Sequence, residues 1–239
     1  MNARIAFGAS AVLVAVVGAL FSQSDVWHDV AGFAAPARAI AVWCLTAVQL
    51  AGGVSILDSR AARGGAVAVG LVFAILAPAC IPGILAAPAQ YAGYGDFFEN
   101  ASVVCGAVAV YALTKRALRE RLLRRIARVG FGVCAASFAA AQAVYLTYTA
   151  SLVPAWIPPN GVFWTVLTTI AFGLAAVAIV SNVRARLALR LTSAMIAAFA
   201  VLVWLPRLVM HPQALGDWSE FAESCLIAAA AWAVGDAAA

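Results

Sequence analysis

Apolar stretches about as long as a bilayer is thick recur from one end of this chain to the other, with little between them. A hydrocarbon core about 30 Å thick is crossed by about 20 mostly apolar residues in a helix. A lipid-embedded backbone must satisfy its own hydrogen bonds, and a helix does so within one segment. The runs predict spans at 5–22, 38–57, 65–86, 97–114, 129–149, 162–181, 188–206 and 218–235. Composition agrees. The chain is 65% apolar and 10% charged, where a soluble domain carries about 25% charged residues. The expected fold is all-α and polytopic, with eight transmembrane helices.

The second half repeats the first. Glu99 precedes Glu223 by 124 residues, and the same gapless shift places Arg4 on Arg128, Phe7 on Phe131 and Gly8 on Gly132. It also places Arg60 on Arg184, Pro82 on Pro206, Pro88 on Pro212 and Phe97 on Phe221. Alanine matches mean little in this composition, whereas Arg, Pro and Glu are scarce. Such self-similarity is the mark of a tandem duplication. The expected organisation is a first repeat at 1–114, a basic amphipathic linker at 115–128 and a second repeat at 129–239. The opening Arg4-Ile-Ala-Phe-Gly recurs as Arg128-Val-Gly-Phe-Gly in mid-chain. The first span therefore reads as a permanent helix, not as a cleaved signal.

Charge sets the orientation. Arg4, Arg60, Arg63, the run from Lys115 to Arg128, and Arg184, Arg186 and Arg190 fall on one side of the eight-span reading. Arg38 and Arg207 fall on the other, beside Asp25, Asp29, Asp96, Glu99, Asp217, Glu220 and Glu223. The positive-inside rule puts the basic loops and both termini in the cytoplasm, with a bacterial inner membrane as the expected location. Four spans per copy make the two copies parallel rather than inverted. The excess of five positive charges is spread over loops, not gathered on a soluble surface as nucleic-acid binding requires. No nucleic-acid partner is expected.

Few residues carry recognisable chemistry. The five cysteines have no CxxC spacing and read as small apolar packing residues. His28 and His211 both fall in outer loops, and no HExxH, GxGxxG or P-loop motif occurs. No metal site, intrinsic cofactor or catalytic residue is assigned. In the linker, Leu118, Leu122, Leu123 and Ile126 fall at helical spacing among seven cations, so Arg119, Arg124 and Arg125 are candidate contacts for lipid phosphate. Arg60 and Arg184, beside Asp58 and Asn182, are further candidates at helix ends. Pro82 and Pro206, with Pro78, predict a break in the third helix of each copy.

The sharpest pattern is acidic. Tyr94-Gly-Asp96-Phe-Phe-Glu99-Asn100 aligns with Trp218-Ser-Glu220-Phe-Ala-Glu223-Ser224. Both copies read aromatic, small, acid, Phe, any, Glu, small polar. Two acids three residues apart share one side of a helix. Their structural reading is capping by carboxylates in the first helical turns. Their functional reading is a quinone or ligand site made by Tyr94, Asp96, Glu99, Trp218, Glu220 and Glu223, because charge at a membrane edge demands a reason. Gln49, alone in the middle of the second span, is the remaining candidate. Trp27, Trp156, Trp164 and Trp204 read mainly as an interfacial aromatic belt, and Trp43 lies deeper.

Each half resembles the DoxX-like family of four-helix membrane proteins. The likeness rests on Arg4-x-x-Phe-Gly, on AVQLAGGVSILDSRAARGGAV at 47–67 and on GYGDFFENASVVCGAVAVYAL at 93–113, with WSEFAESCLIAAAAW at 218–232 as a weaker counterpart. Family members often carry a Lys near the end of helix one and a Glu where Gln49 stands, and this chain has neither. The resemblance implies a fused pair serving a redox partner. It leads to a first reading as an accessory or quinone-facing subunit of a membrane oxidoreductase, with carboxylates as proton acceptors. A small-solute transporter or channel is the second, although Gln49, Gln142 and hydroxyls are nearly the only polar groups at mid-span. A membrane scaffold or chaperone is the third.

Overall fold

The computed structural model describes residues 2–20, 35–114 and 119–238. Asp25, Trp27, His28, Asp29, Lys115, Leu118 and the Arg38 side chain lie outside the described residues. Every regular element among the described residues is helical: α1 (Ala3–Leu20), α2 (Ala35–Leu57), α3 (Ala62–Ala79), α4 (Ile81–Ala86), α5 (Ala92–Ala112), α6 (Glu120–Val144), α7 (Leu146–Leu152), α8 (Gly161–Val180), α9 (Ala185–Phe199), α10 (Leu205–Met210) and α11 (Leu215–Ala237). A π-helical stretch, Ala200–Trp204, joins α9 to α10.

Six helical segments among the described residues are long and apolar enough to cross a membrane: Ala3–Leu20, Ala39–Leu57, Ala62–Ala86, Glu120–Val144, Gly161–Val180 and Ala185–Met210. Their outward faces agree. On α8, Ile170, Leu174 and Val177 are all more than half exposed, and so are Leu71 and Ile75 on α3. A soluble monomer rarely shows contiguous apolar surface on this scale, so this is the surface of an integral membrane protein. Helices α5 and α11, with 21 and 23 residues, are not among the six, because their acids dilute the apolar runs.

The helices form a closed ring in which α1, α2, α3, α5, α6, α8, α9 and α11 each pack on the next, and α11 packs back on α1. Helices α5 and α11 also meet across the middle. Small residues permit that contact. A Cβ built on Gly106 of α5 would lie 2.5 Å from the Ala230 Cβ of α11, and Ala228 to Ala231 are buried. Most of the described cations lie at one end, with Asp58, Glu120 and Asp236 among them, and the other described acids lie at the opposite end with Arg207. At the basic end, Arg4 donates to the carbonyls of Ile56 and Leu57, and Arg63 donates to the Tyr111 hydroxyl while lying over its ring. Arg128 donates there to the carbonyls of Ile179 and Val180, and Arg190 pairs with Asp236 at 2.8 Å. The acidic end holds Glu99, Asp217, Glu220 and Glu223.

Three expectations change. The basic segment is not a separate linker, since Glu120 to Val144 is one continuous helix whose first turns carry the cations. Arg124 there is engaged by Glu120 at 2.6 Å and by the Ala237 carbonyl at 3.1 Å, so it is a structural residue before it is a lipid contact. Glu99 and Glu223 are not in first turns either. Their helices start at Ala92 and Leu215, about two turns earlier, and the helix dipole acts only within the first turn.

The third change concerns the gapless shift of 124. Arg4 and Arg128 are 124 residues apart, but the carbonyls they hold, Ile56 and Ile179, are 123 apart. Buried positions of the next two helices also pair at 123: Ala62 with Ala185, Val69 with Thr192, and Phe73 with Ile196. At α4 and α10 the spacing is again 124, since Ile81–Ala86 corresponds to Leu205–Met210. The π-helical stretch lies at the transition, and such a stretch accommodates one extra residue within a helix. Under this register Arg60 corresponds to Val183, not to Arg184. The breaks expected at proline are present, with Pro82 and Pro206 in the first turns of α4 and α10.

The two arginine clasps give a first prediction. Charge-assisted hydrogen bonds of this kind contribute about 1.5–3 kcal/mol each when partly buried. Arg4→Met and Arg128→Met are expected to destabilise the protein by similar amounts, with the midpoint of unfolding in detergent as the measurement. A loss confined to one variant would show that the two clasps do different work.

Candidate functional site

A chamber of about 410 Å³ opens at the acidic end, walled mainly by the second half of the chain. Its wall is mostly apolar. Phe138 comes from α6, Phe172 from α8, Ile196 and Phe199 from α9, and Leu202, Val203 and Trp204 from the π-helical stretch. The loop after α7 adds Val153, Pro154 and Ile157. Phe172 stands at the centre of an aromatic cluster, edge-on to Phe138 at 5.6 Å and tilted to Phe199 at 6.3 Å. Such contacts fix ring positions and keep the wall from collapsing.

Polar atoms are few and grouped. Glu220 and Glu223 reach the chamber from α11 and Glu99 reaches it from α5. They converge because α5 packs on α11 and because acids three apart share a helix face. Glu99 and Glu223 are half-buried and Glu220 is exposed. Gln142 of α6 is the second polar element. Its Oε1 lies 3.0 Å from the Thr168 hydroxyl and 3.1 Å from the Thr169 hydroxyl, whose single protons are shared with the backbone carbonyls of Trp164 and Thr165 at 2.9 and 2.7 Å. Thr165 is the third. It is 1% exposed, lies on the chamber wall and its hydroxyl has no hydrogen-bond partner. A buried polar atom left in this state costs about 1–3 kcal/mol, and a ligand in the chamber would relieve that cost.

The structure gathers three of the seven candidate ligand residues and leaves four outside. Tyr94 stacks on Tyr91 at 5.7 Å and points its hydroxyl to the Pro88 carbonyl at 3.4 Å. Trp218 donates its indole N–H to the Pro212 carbonyl at 3.0 Å. Asp96 is not on the chamber wall, and its backbone carbonyl accepts from Asn100 at 2.8 Å. Gln49 lies in the other half, fully buried, donating at 3.4 Å to the Ala11 carbonyl while its Oε1 has no partner. At the chamber rim, Asp217 pairs with Arg207 at 2.8 Å, and that guanidinium lies over the Trp204 ring at 5.5 Å. This clasp ties the end of the π-helical stretch to the start of α11.

Among the other candidates, Arg60 donates its backbone N–H to Asp58 Oδ1 at 2.9 Å in a tight turn. Arg119 and Arg184 both take left-handed backbone conformations just before a helix. Arg125 is exposed on the first turns of α6. Thr165, Thr168, Phe172 and Met195 were the residues hidden from sequence reasoning. Hydroxyls recur along many spans, and only the crossing of α6, α8 and α9 singles these out.

No protein-family model, no curated protein and no solved structure matches the chain, so the functional reading rests on this geometry and on the motifs above.

Proposed function

We propose that the protein is an integral membrane, quinone-facing subunit of an oxidoreductase system, built by duplication of a four-span unit, with eight spans and both termini cytoplasmic. The observation that carries this reading is the chamber. It has the size of a small-molecule site, which runs from about 300 to 1,000 Å³, an apolar wall and polar groups confined to a few positions. A quinone is a flat, apolar ring with hydrogen-bonding oxygens on its edge, and the residues present suit it. Aromatic and aliphatic side chains would hold the ring, while Gln142, Thr165 and the carboxyl groups would bind its oxygens.

Bound there, the quinone would supply two-electron, two-proton redox chemistry, with the electrons exchanged with a partner subunit that carries the metal or flavin. The chain's own residues bind, orient and handle protons. Glu99 and Glu223, half-buried at the chamber wall, accept protons from ligand hydroxyls, and the exposed Glu220 passes them to water. The apolar wall excludes bulk water from the ring. The redox setting is also what the DoxX-like motifs imply. One observation favours a second reading, since three carboxylates in an apolar chamber also suit transport of a lipophilic cation.

Gentle purification from native membranes, followed by mass spectrometry of copurifying proteins and extracted lipids, tests the proposal. The expected result is a redox enzyme together with about one quinone per chain. Recovery of the chain with ordinary phospholipid alone would overturn it and make flux of a lipophilic cation the next assay.

A further inference from the structure

The chamber has a neighbour. A second cavity of about 460 Å³ lies between α8 and α9 on the side toward the basic end, and Met195 borders both. From Met195 to Arg184, which lines the far end, the cleft runs eleven residues along α9, about 16 Å at 1.5 Å per residue. Its outward lips are Leu174, Leu187 and Leu191, which are 67%, 49% and 61% exposed.

The other half of the protein shows why this cleft exists. There, α2 and α3 touch backbone to backbone. A Cβ on Gly65 would lie 2.5 Å from the Gly52 carbonyl oxygen, and one on Gly52 would lie 3.0 Å from Val69. At the 123-residue spacing that relates these helices to α8 and α9, the counterparts of Gly52 and Gly65 are Ala175 and Ala188. Both line the second cavity. The close contact that two glycines allow is closed to two alanines, because each methyl occupies the space of the facing backbone. The counterpart of Val69 is Thr192, also on the cavity wall, 2% exposed and with no partner for its hydroxyl. The two halves therefore differ where these helices meet: α2 and α3 touch through Gly52 and Gly65, whereas Ala175 and Ala188 line an open cleft between α8 and α9.

We propose that the cleft between α8 and α9 is the tail groove of the chamber, and that its occupant is the polyprenyl chain of a quinone whose ring sits by Glu99, Glu223 and Gln142. This rests on the quinone reading and names the ligand's second half. The groove opens toward the lipid phase, where such a chain resides. Met195 stands between the cleft and the chamber, and an unbranched, flexible side chain at that point can turn aside to let one molecule fill both. A lipid tail gains little from leaving lipid, because the surroundings are equally apolar. The groove therefore selects by shape and steers the ring, and the chamber supplies the specific hydrogen bonds. The one-residue expansion at Ala200–Trp204 serves the same end, since it places Leu202, Val203 and Trp204 on the chamber wall directly beyond the groove.

The test uses the full chain in lipid nanodiscs with two probes, a polyprenyl benzoquinone and the same ring without its prenyl chain. Retention of each is measured by native mass spectrometry, and a photoreactive group near the chain terminus maps contacts. The wild-type protein is expected to retain both probes, with photolabel on α8 and α9 between Ala171 and Leu191. Ala188→Phe, which plugs the groove, is expected to lower retention of the prenylated probe at least about tenfold and to leave the bare ring bound. Ala175→Phe plugs the opposite wall and serves if the first variant does not fold. Equal retention of the prenylated probe by a folded plug variant, loss of both probes, or photolabel elsewhere would each overturn the tail groove. Failure of the wild type to retain either probe would overturn the quinone reading itself.

Discussion

Gly106→Leu is expected to take apart the centre of the bundle. The Cβ alone would meet the Ala230 Cβ at 2.5 Å, the Ala230 Cα at 2.8 Å and the Phe7 ring at 2.8 Å. None of these can yield cheaply. Ala230 is buried in the α11 backbone contact and Phe7 is a fully buried ring, so relief requires α5 and α11 to separate. Overpacking in a tight core costs about 1–3 kcal/mol and occasionally more. Here three rigid contacts are violated at once, which puts the loss at or above about 3 kcal/mol. Gly95, on the same helix with open space around its Cα, is the matched control. Gly95→Ala is expected to be neutral or to stabilise by up to about 1 kcal/mol, the ordinary helical preference for Ala over Gly. The measurement is the unfolding midpoint in detergent, with chain recovery as a second readout. A Gly106→Leu protein as stable as wild type would mean that α5 and α11 do not meet at this point.

The contact explains which parts of the fold are legible in the sequence. Runs of apolar residues announce α1, α2, α3, α6, α8 and α9 because each shows a face to lipid, and lipid tolerates no long polar stretch. Arg4 and Arg128, at the basic end of α1 and α6, clasp the last carbonyls of α2 and α8. Pro82 and Pro206 announce the breaks before α4 and α10. Helices α5 and α11 are harder to read. They begin earlier than their apolar runs, because Asp96, Glu99, Asp217, Glu220 and Glu223 interrupt the pattern inside the helix rather than ahead of it. That misplacement made the carboxylates look like caps.

The chamber was half legible for a related reason. The acids stand out in sequence because a charge near a bilayer is costly, and three of the five came together. Tyr94 and Trp218 aligned equally well, yet each is occupied by a proline carbonyl six residues upstream. The difference between the halves was invisible at a fixed shift of 124, which sets Gly52 against Ala176 and Val69 against Ser193. The contacts of Arg4 and Arg128, and the buried positions of α3 and α9, expose the one-residue slip. At a spacing of 123, Gly52 and Gly65 correspond to Ala175 and Ala188. Helices α2 and α3 touch at those glycines, and beside α8 and α9 the cleft and the chamber leave space.

If that space binds a quinone through its carboxyl groups, replacing Glu99 and Glu223 together by glutamine is expected to lower quinone retention at least about tenfold, with the protein still assembled. Glutamine keeps the shape and can still donate a hydrogen bond, but it neither carries charge nor releases a proton. Hydrogen bonds to charged groups contribute about 1.5–3 kcal/mol, and a tenfold loss corresponds to about 1.4 kcal/mol, so the effect of two substitutions should be plain. Each single variant is expected to fall between the double variant and wild type, because Glu99 and Glu223 come from neighbouring helices and line one chamber. Tyr94→Phe separates this reading from the sequence pattern alone. Its hydroxyl lies 3.4 Å from the Pro88 carbonyl and off the chamber wall, so its removal is expected to leave retention unchanged. Native mass spectrometry of bound quinone and size-exclusion profiles give retention and assembly from the same sample. Unchanged retention in the double variant would remove the carboxyl groups from the site and leave the aromatic wall and Gln142 to account for any binding. A loss on Tyr94→Phe as large as that of the double variant would place the ligand outside the chamber, on the outer face of α5.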